Sequence, residues 1–527
     1  MKGIESRRRA RLAAFGLIGA ALTYRSAIAA PPAKAADSGA EIHAEEHVLS
    51  NGMKLLLVPR HDEPTVAGGW VAHVGSANER PGITGISHLF EHMMFKGTPR
   101  IGLKEADKNY AKDVEILAAQ EKVRAEMRAE EAKMRAAFRR GEIDDVTKPE
   151  NKTARYKELE KQFDDLVKSE RDILEKNEYD RIYTKEGGSN ENAFTNNDMT
   201  VYFIAVPKNR LELWFWMEAD RLMQPVFREF YSERDVVFEE RRMRTESTPT
   251  GRLEEAFDEM FWHGHPYTWP VVGYPSDIPA ITKPQADEYY SLFYAPNNVT
   301  TVLVGDFDPK EAVRLAEKYF GRIPRGKNPP PEMTVLPPKW EAEMRFHGEA
   351  DTNPEVEVVW HTVGFQHKDA YPLQVLAQLL NGRTGRLFKS LVDAKPAEKN
   401  VASTVASFQN SQKYAGSFGI DGEVKDGKTP EELERGIDAE VEKLKTDLVP
   451  DRELQKVKNN FNAAAYRRLS ANFPILVQLL VNDGLGDWHE LNEAPKKIQA
   501  VTAEDVRRVA KAYLTKENRG VATFTRK

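Results

Sequence analysis

A proline-rich break near the middle of the chain limits its fold more than any other feature. Residues 327–331 read Lys-Asn-Pro-Pro-Pro, and Pro337 and Pro338 follow soon after. Because proline fixes φ and has no N–H to donate, this stretch can join neither a helix nor a central strand. We expect it to be a stiff linker. The sequence therefore predicts two halves, residues 41–325 and 336–527, joined by a linker at residues 326–335.

The two halves share a spacing that indicates an internal duplication. In each half, a threonine opens a helical segment that reaches an aromatic residue 11 residues later, and an asparagine lies 5 residues further, just before a strand. These residues are Thr282, Phe293 and Asn298 in the first half and Thr502, Tyr513 and Asn518 in the second. Two unrelated helix–strand units are the alternative, but the matched spacing favours duplication.

Strand-like and helix-like runs alternate within both halves. The clearest strands are residues 54–59, 67–74, 200–206, 300–304 and 355–360. The clearest helices are residues 211–223, 233–244, 310–320 and 430–448. Hydrophobic residues make up 40% of the 527 residues, which is enough for a core in each half. The pattern predicts the α+β class, built from two homologous α/β halves.

One segment of the first half, residues 104–176, is densely charged. Apolar residues recur there in two heptad-like stripes on either side of a polar break: Ile116, Val123, Met127, Met134 and Phe138, then Tyr156, Leu159, Phe163, Leu166 and Ile173. Two helices with such narrow apolar seams predict an inserted antiparallel coiled-coil hairpin. The favoured interpretation is a solvated spur without a catalytic role. It should fold semi-independently, so replacing residues 105–176 by a short linker should leave a folded protein.

The first thirty residues, 1–30, are typical of a signal peptide. Four arginines lie between residues 7 and 11, residues 12–24 are apolar, and residues 27–29 read Ala-Ile-Ala. The apolar run is too short to span a bilayer comfortably, and no cysteine follows it to carry a lipid. We therefore expect export, to the periplasm or otherwise outside the cytoplasm, with no membrane anchor after cleavage. A mitochondrial presequence, and hence the mitochondrial matrix, is the alternative.

Composition excludes several classes of function. The chain has no cysteine, so disulfides, thiol nucleophiles and thiolate metal sites are excluded. Its formal net charge is -6, and no basic run outside the N-terminus resembles a nucleic-acid groove. Any transition metal must be held by histidines and carboxylates.

The segment from Ser87 to Phe95 carries the candidate chemistry. On a helix, His88 and His92 are one turn apart and share a face, so both imidazoles can reach one ion. At roughly 100° per residue, Glu91 lies about 60° to the other side of His88, close enough to approach a metal-bound water without being a ligand. This is the H-x-x-E-H arrangement of zinc peptidases.

A hydrolytic zinc needs a third protein ligand and an open position. One candidate is the acidic helix from Glu233 to Glu240, where Glu233, Val237 and Glu240 share a face. An ordinary solvated, charged helix face is at least as good an explanation of this pattern.

Several segments together resemble the pitrilysin/insulinase family of inverted-motif zinc peptidases, in the single-length form of its processing-peptidase-like members. The segments are Gly85 to Thr98, Gly187-Gly188 with Asn192 to Thr195, Glu233 to Glu240, His265 to Tyr267, Tyr294 to Asn298, and Val304 to Asp306. The likeness runs from about Val48 to the C-terminus and is interrupted by the charged hairpin.

The resemblance implies roles for individual residues. His88, His92 and Glu240 would bind one Zn²⁺ per chain, and Glu91 would be the general base on a zinc-bound water. Glu233 would not bind the metal itself but would orient a residue that does. Asn192 and Ala193 would lie on an edge strand that accepts the substrate backbone, although a turn entering a strand would look the same in sequence.

The second half departs from the family pattern. Residues 386–391 resemble a family helix that members often continue with an Arg, and a Tyr seven residues later, to grip substrate. The matching positions here are Val392 and Lys399. This half should be unable to complete the site. We therefore expect a heterodimer with a related chain that carries both residues and may lack the zinc motif, with a homodimer as the alternative.

The resulting hypothesis is an exported zinc metallo-endopeptidase that hydrolyses peptides or unfolded polypeptide segments in a chamber closed by a second such chain. A non-catalytic structural subunit resembling respiratory-complex core proteins, and a mitochondrial presequence peptidase, are the alternatives.

Overall fold

The computed structural model describes residues 41–104, 110–336 and 339–527. The predicted signal peptide and the Pro337-Pro338 pair lie outside the described residues. Among the helices of the described segments, none is long and apolar enough to cross a membrane.

The first half contains a six-stranded sheet with the order β1-β2-β6-β3-β5-β4. Its last strand, β6, inserts between β2 and β3 and runs parallel to β2, while the other neighbours are antiparallel. The strands are β1 (Glu45–Val48), β2 (Lys54–Pro59), β3 (Thr65–Ala72), β4 (Ser189–Thr195), β5 (Thr200–Pro207) and β6 (Val299–Gly305).

The second half repeats this topology in a five-stranded sheet with the order β7-β11-β8-β10-β9. Again the last strand, β11, inserts after the first and runs parallel to it. The strands are β7 (Met344–Ala350), β8 (Glu355–Thr362), β9 (Ala402–Ser411), β10 (Gly416–Val424) and β11 (Arg519–Arg526). The predicted α+β class with two homologous halves is confirmed.

Fifteen α-helices are assigned in the described residues. The first half has α1 (Ile86–Met93), α2 (Tyr110–Arg139), α3 (Ala154–Ile173), α4 (Glu178–Lys185), α5 (Leu211–Met223), α6 (Phe230–Arg241), α7 (Gly251–Phe261), α8 (Lys283–Phe293) and α9 (Pro309–Tyr319). The second has α10 (Ala370–Leu380), α11 (Pro430–Thr446), α12 (Asp451–Arg468), α13 (Asn472–Leu485), α14 (Glu490–Ala500) and α15 (Ala503–Tyr513).

Element bounds agree closely with the sequence where a local pattern defines them. Strand β2 and helix α5 have the predicted limits. The helix predicted over residues 233–244 begins earlier, at Phe230, and its α-helical part ends at Arg241, after which a π-helical turn covers Arg242–Glu246.

The duplicated segments match in their hydrogen bonds as well as their spacing. Thr282 forms a capping box at the start of α8, and Thr502 does so at the start of α15. The side-chain amide of Asn298 donates to the carbonyl of Phe293, and that of Asn518 donates to Tyr513, both at 2.8 Å. Side chains that cap equivalent backbone groups in both halves explain why the spacing is the same.

Each half covers the open face of the other half's sheet with one helix. From the second half, α13 packs Ile475, Leu476, Leu479 and Leu480 against the first sheet, where they join its buried residues. From the first half, α7 packs Phe257 and Phe261 against the second sheet. Burying an aliphatic or aromatic side chain contributes about 1.5–3 kcal/mol, so this exchange joins the halves firmly.

The charged insertion is a hairpin of two helices, α2 and α3, whose base is closed by an antiparallel bridge between Leu103 and Leu174. Its predicted seam is partly apolar: Met127, Met134, Leu159 and Ile173 are buried, but Phe138 is 51% exposed. Buried polar residues alternate with them, including Gln120, Arg124, Glu130 and Glu170.

The interpretation of the hairpin as a solvated spur fits its tip but not its base. At the base, Asp113 and Glu170 are almost completely buried, and Asp113 forms an ion pair with the buried Arg228 of the sheet domain. Deleting residues 105–176 would leave the Arg228 guanidinium buried without its carboxylate, which is strongly destabilising. The hairpin is therefore anchored in the body of the first half.

Candidate metal centre

Helix α1 is held in a fixed position in the core of the first half. It begins after Gly85, whose φ of 90° is left-handed and whose Cα lies so near Val272 that a Cβ would approach its carbonyl oxygen to 2.5 Å. The carboxylate of Glu79 accepts the N–H groups of Gly85 and Ser87, each at 2.8 Å. This carboxylate satisfies donors that the first turn leaves free. The apolar face of α1, with Leu89, Phe90 and Met93, is buried.

The polar face of α1 meets α6. The structure brings together His88, His92 and Glu240, whose possible ligand atoms all lie within 4.8 Å of one another. The Oε2 atom of Glu240 is 3.7 Å from Nε2 of His88 and 3.4 Å from Nε2 of His92. Within the parts of the chain that the structure describes, this is the only group of three such residues with this spacing.

These distances fit a zinc ion. Zinc binds imidazole nitrogen and carboxylate oxygen at about 2.0–2.1 Å, so two ligands of a tetrahedral site lie about 3.4 Å apart. Both distances from Glu240 to the histidine nitrogens are close to this value. Two imidazoles and one carboxylate are also a donor set that hydrolytic zinc sites use, with the fourth position left for water or substrate.

Glu233 orients His92. Its Oε1 atom lies 2.9 Å from Nδ1 of His92, and its Oε2 atom lies 2.5 Å from Nζ of Lys96. Although burial opposes the charge, these two cations hold the pKa of Glu233 at about 2. A carboxylate on Nδ1 leaves Nε2 of His92 to face Glu240, as a metal ligand must.

The two histidines differ in their affinity for protons. Burial lowers the pKa of His88 to about 4, with the neighbouring His92 adding to the effect. Burial also disfavours the charge on His92, but hydrogen bonds to Glu233 and Glu240 outweigh it and raise the pKa of His92 to about 9. At neutral pH and without metal, His88 is therefore neutral and His92 carries the proton.

Glu91 lies beside the cluster and is not a member of it. Burial raises its pKa above the ordinary range, while Thr195 of β4 and the nearby His92 oppose this in part. A carboxylate with a raised pKa near a metal site has the chemistry of a general base.

Asn192 and Ala193 lie on β4, the edge strand of the first sheet, where they pair with Phe203 and Tyr202 of β5. On its other side β4 has no strand partner among the described residues. The N–H of Ala193 donates to the Asn192 side chain at 2.8 Å. The backbone of an edge strand next to a candidate metal centre can accept an extended chain.

Two basic residues at the centre were not predicted from the sequence. Lys96 contacts Glu233, and Arg244 forms an ion pair with the Oε1 atom of Glu240. Arg244 lies four residues after Glu240, so helical spacing was the available clue for it. Lys96 lies beyond the end of α1, where that spacing does not apply.

Val392 and Lys399 lie between α10 and β9 in the second half. Val392 ends a π-helical turn and packs against the second core, and Lys399 ends a short 3₁₀ turn. Arg386, which precedes them, is held by Glu453 of α12 at 3.0 and 2.8 Å.

Comparison with known families agrees with this architecture. The sequence model described as "Insulinase (Peptidase family M16)" matches residues 54–141 and 171–273, and is interrupted within the hairpin. The model described as "Peptidase M16 inactive domain" matches residues 280–461.

Individual relatives extend over most of the chain. It is 26% identical over 508 residues to the zinc protease PqqE of Helicobacter pylori, covering 92% of this chain and 95% of that protein. A crystal structure of a protease from Helicobacter pylori has a TM-score of 0.72 at 24% identity, covering 92% of this chain and 99% of that one. The first half of the periplasmic protease PqqL from Escherichia coli has a TM-score of 0.63 at 16% identity, with 92% of both chains covered. The chain therefore belongs to the insulinase family, peptidase family M16, whose relatives found here are named zinc proteases.

Proposed function

We propose that this chain is a zinc metallo-endopeptidase in which His88, His92 and Glu240 hold the metal and Glu91 is the general base. The observation that carries the proposal is the cluster of His88, His92 and Glu240, in which the Glu240 carboxylate lies from each histidine nitrogen at about the spacing of two zinc ligands. A non-catalytic subunit would not need three ligands and a base together, so their joint presence favours an enzyme.

Different residues of the chain would contribute different steps of peptide hydrolysis. Bound zinc would supply Lewis acidity, which lowers the pKa of water and polarises a peptide carbonyl. The carboxylate of Glu91 accepts the proton of the attacking water, and its raised pKa makes it a stronger base than an exposed glutamate. Glu233 keeps the proton of His92 on Nδ1, and Nε2 is then free to act as a ligand.

The substrate class follows from β4. An extended peptide that pairs with the open edge of β4 is recognised mainly through its backbone, which gives broad sequence preference. Because the N–H of Ala193 is bonded to the Asn192 side chain, that side chain must turn away before a substrate carbonyl can use the same donor. We therefore propose unfolded segments and peptides as substrates.

The direct test is digestion of a quenched peptide library by the purified mature protein. We expect cleavage that a chelator abolishes and that one equivalent of zinc restores. Glu91→Gln, which keeps the shape but cannot accept the proton, should bind zinc and fail to cleave. Cleavage that survives both the chelator and Glu91→Gln would refute the assignment.

We also propose a heterodimer with a related chain. Val392 has no side-chain donor, Lys399 has no phenol, and Arg386 is already engaged by Glu453. A homodimer would lack the two expected donors in both copies. The test is the same peptide assay on the chain alone and with a related chain that carries Arg and Tyr. Full activity alone, unchanged by the partner, would contradict this proposal and favour the homodimer.

Export to the periplasm is likewise a proposal. It is supported by the Escherichia coli relative, a structure of which is described as that of a periplasmic protease. Sequencing the N-terminus of the mature protein should place cleavage near residues 27–30. An intact N-terminus in a cytoplasmic fraction would contradict it.

A further inference from the structure

The base of the helical hairpin packs against the start of α6, the helix that carries Glu233 and Glu240. Tyr231, at the second position of α6, donates its hydroxyl proton to the carboxylate of Glu121 on α2. Its ring lies edge-on to Phe163 of α3, with a centroid distance of 5.4 Å. The guanidinium of Arg124 lies 4.9 Å from the same ring. Both hairpin helices therefore enclose the first turn of α6.

The residue just before α6, Glu229, is held by the second hairpin helix. Glu229 has a φ of 52°, a left-handed conformation that is strained for a residue other than glycine. Its N–H donates to Oε1 of Glu170 at 2.7 Å, and Oε2 of Glu170 accepts the side chain of Gln120 at 2.7 Å. Glu170 is only 1% exposed. A buried carboxylate thus stabilises the bend from which α6 starts.

Arg228 connects the hairpin to the segment that follows α1. Its Nε atom donates to Asp113 of α2 at 2.9 Å. Its two terminal nitrogens donate to the carbonyls of Ile101 and Thr98, each at 2.8 Å. The hairpin base, the segment after α1 and the start of α6 therefore form one buried, hydrogen-bonded unit.

This unit lies one helical turn from the candidate metal centre. Glu233 follows Glu229 by four residues and holds Nδ1 of His92 at 2.9 Å. Nζ of Lys96 is 2.5 Å from Glu233 and 3.7 Å from Glu229, which joins both residues to the end of α1. Because helices move as rigid units, a shift at the start of α6 displaces Glu233 and Glu240 together.

We propose that the hairpin braces the metal centre, with Glu121 and Glu170 as positioning residues that fix the start of α6 relative to α1. This inference rests on the proposed function, since it takes zinc to be bound by residues of both helices. A site of this kind needs its ligands held to within about 0.5 Å, and helices α1 and α6 approach from separate parts of the chain. The insulinase sequence model does not match residues 142–170, which include most of α3.

The test compares glutamates at the base of the hairpin with matched glutamates nearer its tip. Glu121→Ala and Glu170→Ala remove the brace contacts. Glu126→Ala and Glu158→Ala are the controls, because these residues lie on the same two helices, are exposed and pair with Arg155. The zinc dissociation constant is measured by competition with a chromophoric chelator. The visible spectrum of the cobalt-substituted protein reports ligand geometry.

We expect the brace variants to bind zinc about 10-fold to 100-fold more weakly, the range seen when residues that orient metal ligands are removed. Their cobalt spectrum should change, and both control variants should match the unaltered protein. Glu170→Gln keeps an oxygen that accepts the N–H of Glu229, so it should recover most of the affinity. A role limited to overall stability would change the unfolding temperature without this pattern.

Two results would overturn the brace and separate it from the proposed function. Unaltered protein that binds zinc, together with brace variants of equal affinity and identical cobalt spectrum, refutes the brace alone. Unaltered protein that binds no zinc refutes the proposed function and the brace with it. If an alanine variant does not fold, Tyr231→Phe carries the same test, because it removes one hydroxyl and keeps the packed ring.

Discussion

The two halves share a strand order but differ at the helix that follows their central antiparallel strand. In the first half this helix is α1, which presents His88, Glu91 and His92 to α6. In the second half it is α10, which is apolar and buried over most of its length and carries neither histidine nor carboxylate. Against α10 lies α12, and there Arg386 forms a two-point ion pair with Glu453.

The comparison shows that the shared scaffold alone does not bring candidate metal ligands together. The second half places an acidic residue near the start of α12, much as the first half places Glu233 near the start of α6. There it meets an arginine instead of a histidine, so an ion pair forms in place of a ligand group. The description of the second matched family model as an inactive domain agrees with this difference.

The two halves also differ where each sheet contacts the helix contributed by the other half. His73 directly follows β3, and His361 is the last residue but one of β8. Their carbonyls accept from the equivalent side chains of Asn298 and Asn518, so the two histidines occupy matching places. His73 lies 3.3 Å from the buried Asp483 of α13. His361 instead stacks on Phe261 of α7, with a centroid distance of 3.9 Å. One crossing is charged and the other aromatic, although the backbone is alike.

The largest expected effect is on zinc binding, which should depend on the first half and not on the second. His92→Ala removes a proposed ligand, and zinc affinity should fall by about 100-fold or more. Arg386→Ala, in the matching region of the second half, should leave one zinc per chain and only lower the unfolding temperature. Elemental analysis after gel filtration checks both. Full zinc occupancy in His92→Ala, or its loss in Arg386→Ala, would contradict the assignment.

The next effect distinguishes the proposed roles of two carboxylates in the first half, Glu91 as general base and Glu240 as metal ligand. Glu91→Gln should lower kcat by about 10²–10⁴-fold with zinc retained, as expected for loss of a general base. Glu240→Gln should instead weaken zinc binding itself, because an amide oxygen is a poorer ligand than a carboxylate. Peptide hydrolysis and zinc titration on the same samples distinguish them. The reverse pattern would show that the two roles have been exchanged.

A smaller effect tests whether the exchanged helices join the halves. Leu479 of α13 is fully buried against the first sheet, and Leu444 of α11 is fully buried in the second half's own core. Each substitution to alanine should destabilise by about 2–5 kcal/mol. If the halves unfold together, both variants should lower the urea midpoint for zinc release and for loss of helix equally. A zinc-release midpoint that Leu444→Ala leaves unchanged would show that the halves unfold separately.

The sequence predicted those features that residues close together in the chain determine. The spacing of His88, Glu91 and His92 gave the polar face of α1, and the threonine caps gave the duplicated helices. The exchange of α7 and α13 was not predictable, because nothing in the run from Ile475 to Leu480 indicates which sheet it covers. The buried base of the hairpin was missed for a related reason: charged residues such as Asp113 and Glu170 are usually exposed, and their burial depends on distant partners.

The last and smallest effect concerns protons and uses the difference between the two histidines. A histidine binds zinc only as the neutral imidazole, so binding zinc releases the extra proton of any histidine ligand that is protonated. The pKa of His88 is about 4 and that of His92 about 9, so at pH 7.5 His92 is the histidine that has a proton to release. In the Glu91→Gln protein, where that carboxyl cannot take up or release a proton, calorimetry in two buffers with different ionisation enthalpies should show release of about one proton per zinc bound.

The zinc affinity of this protein should rise about tenfold per pH unit up to about pH 9 and then level off. Adding Glu233→Gln removes the carboxylate that raises the pKa of His92, so proton release at pH 7.5 should fall. Release of two protons, or of none, would contradict the opposite shifts of the two imidazoles.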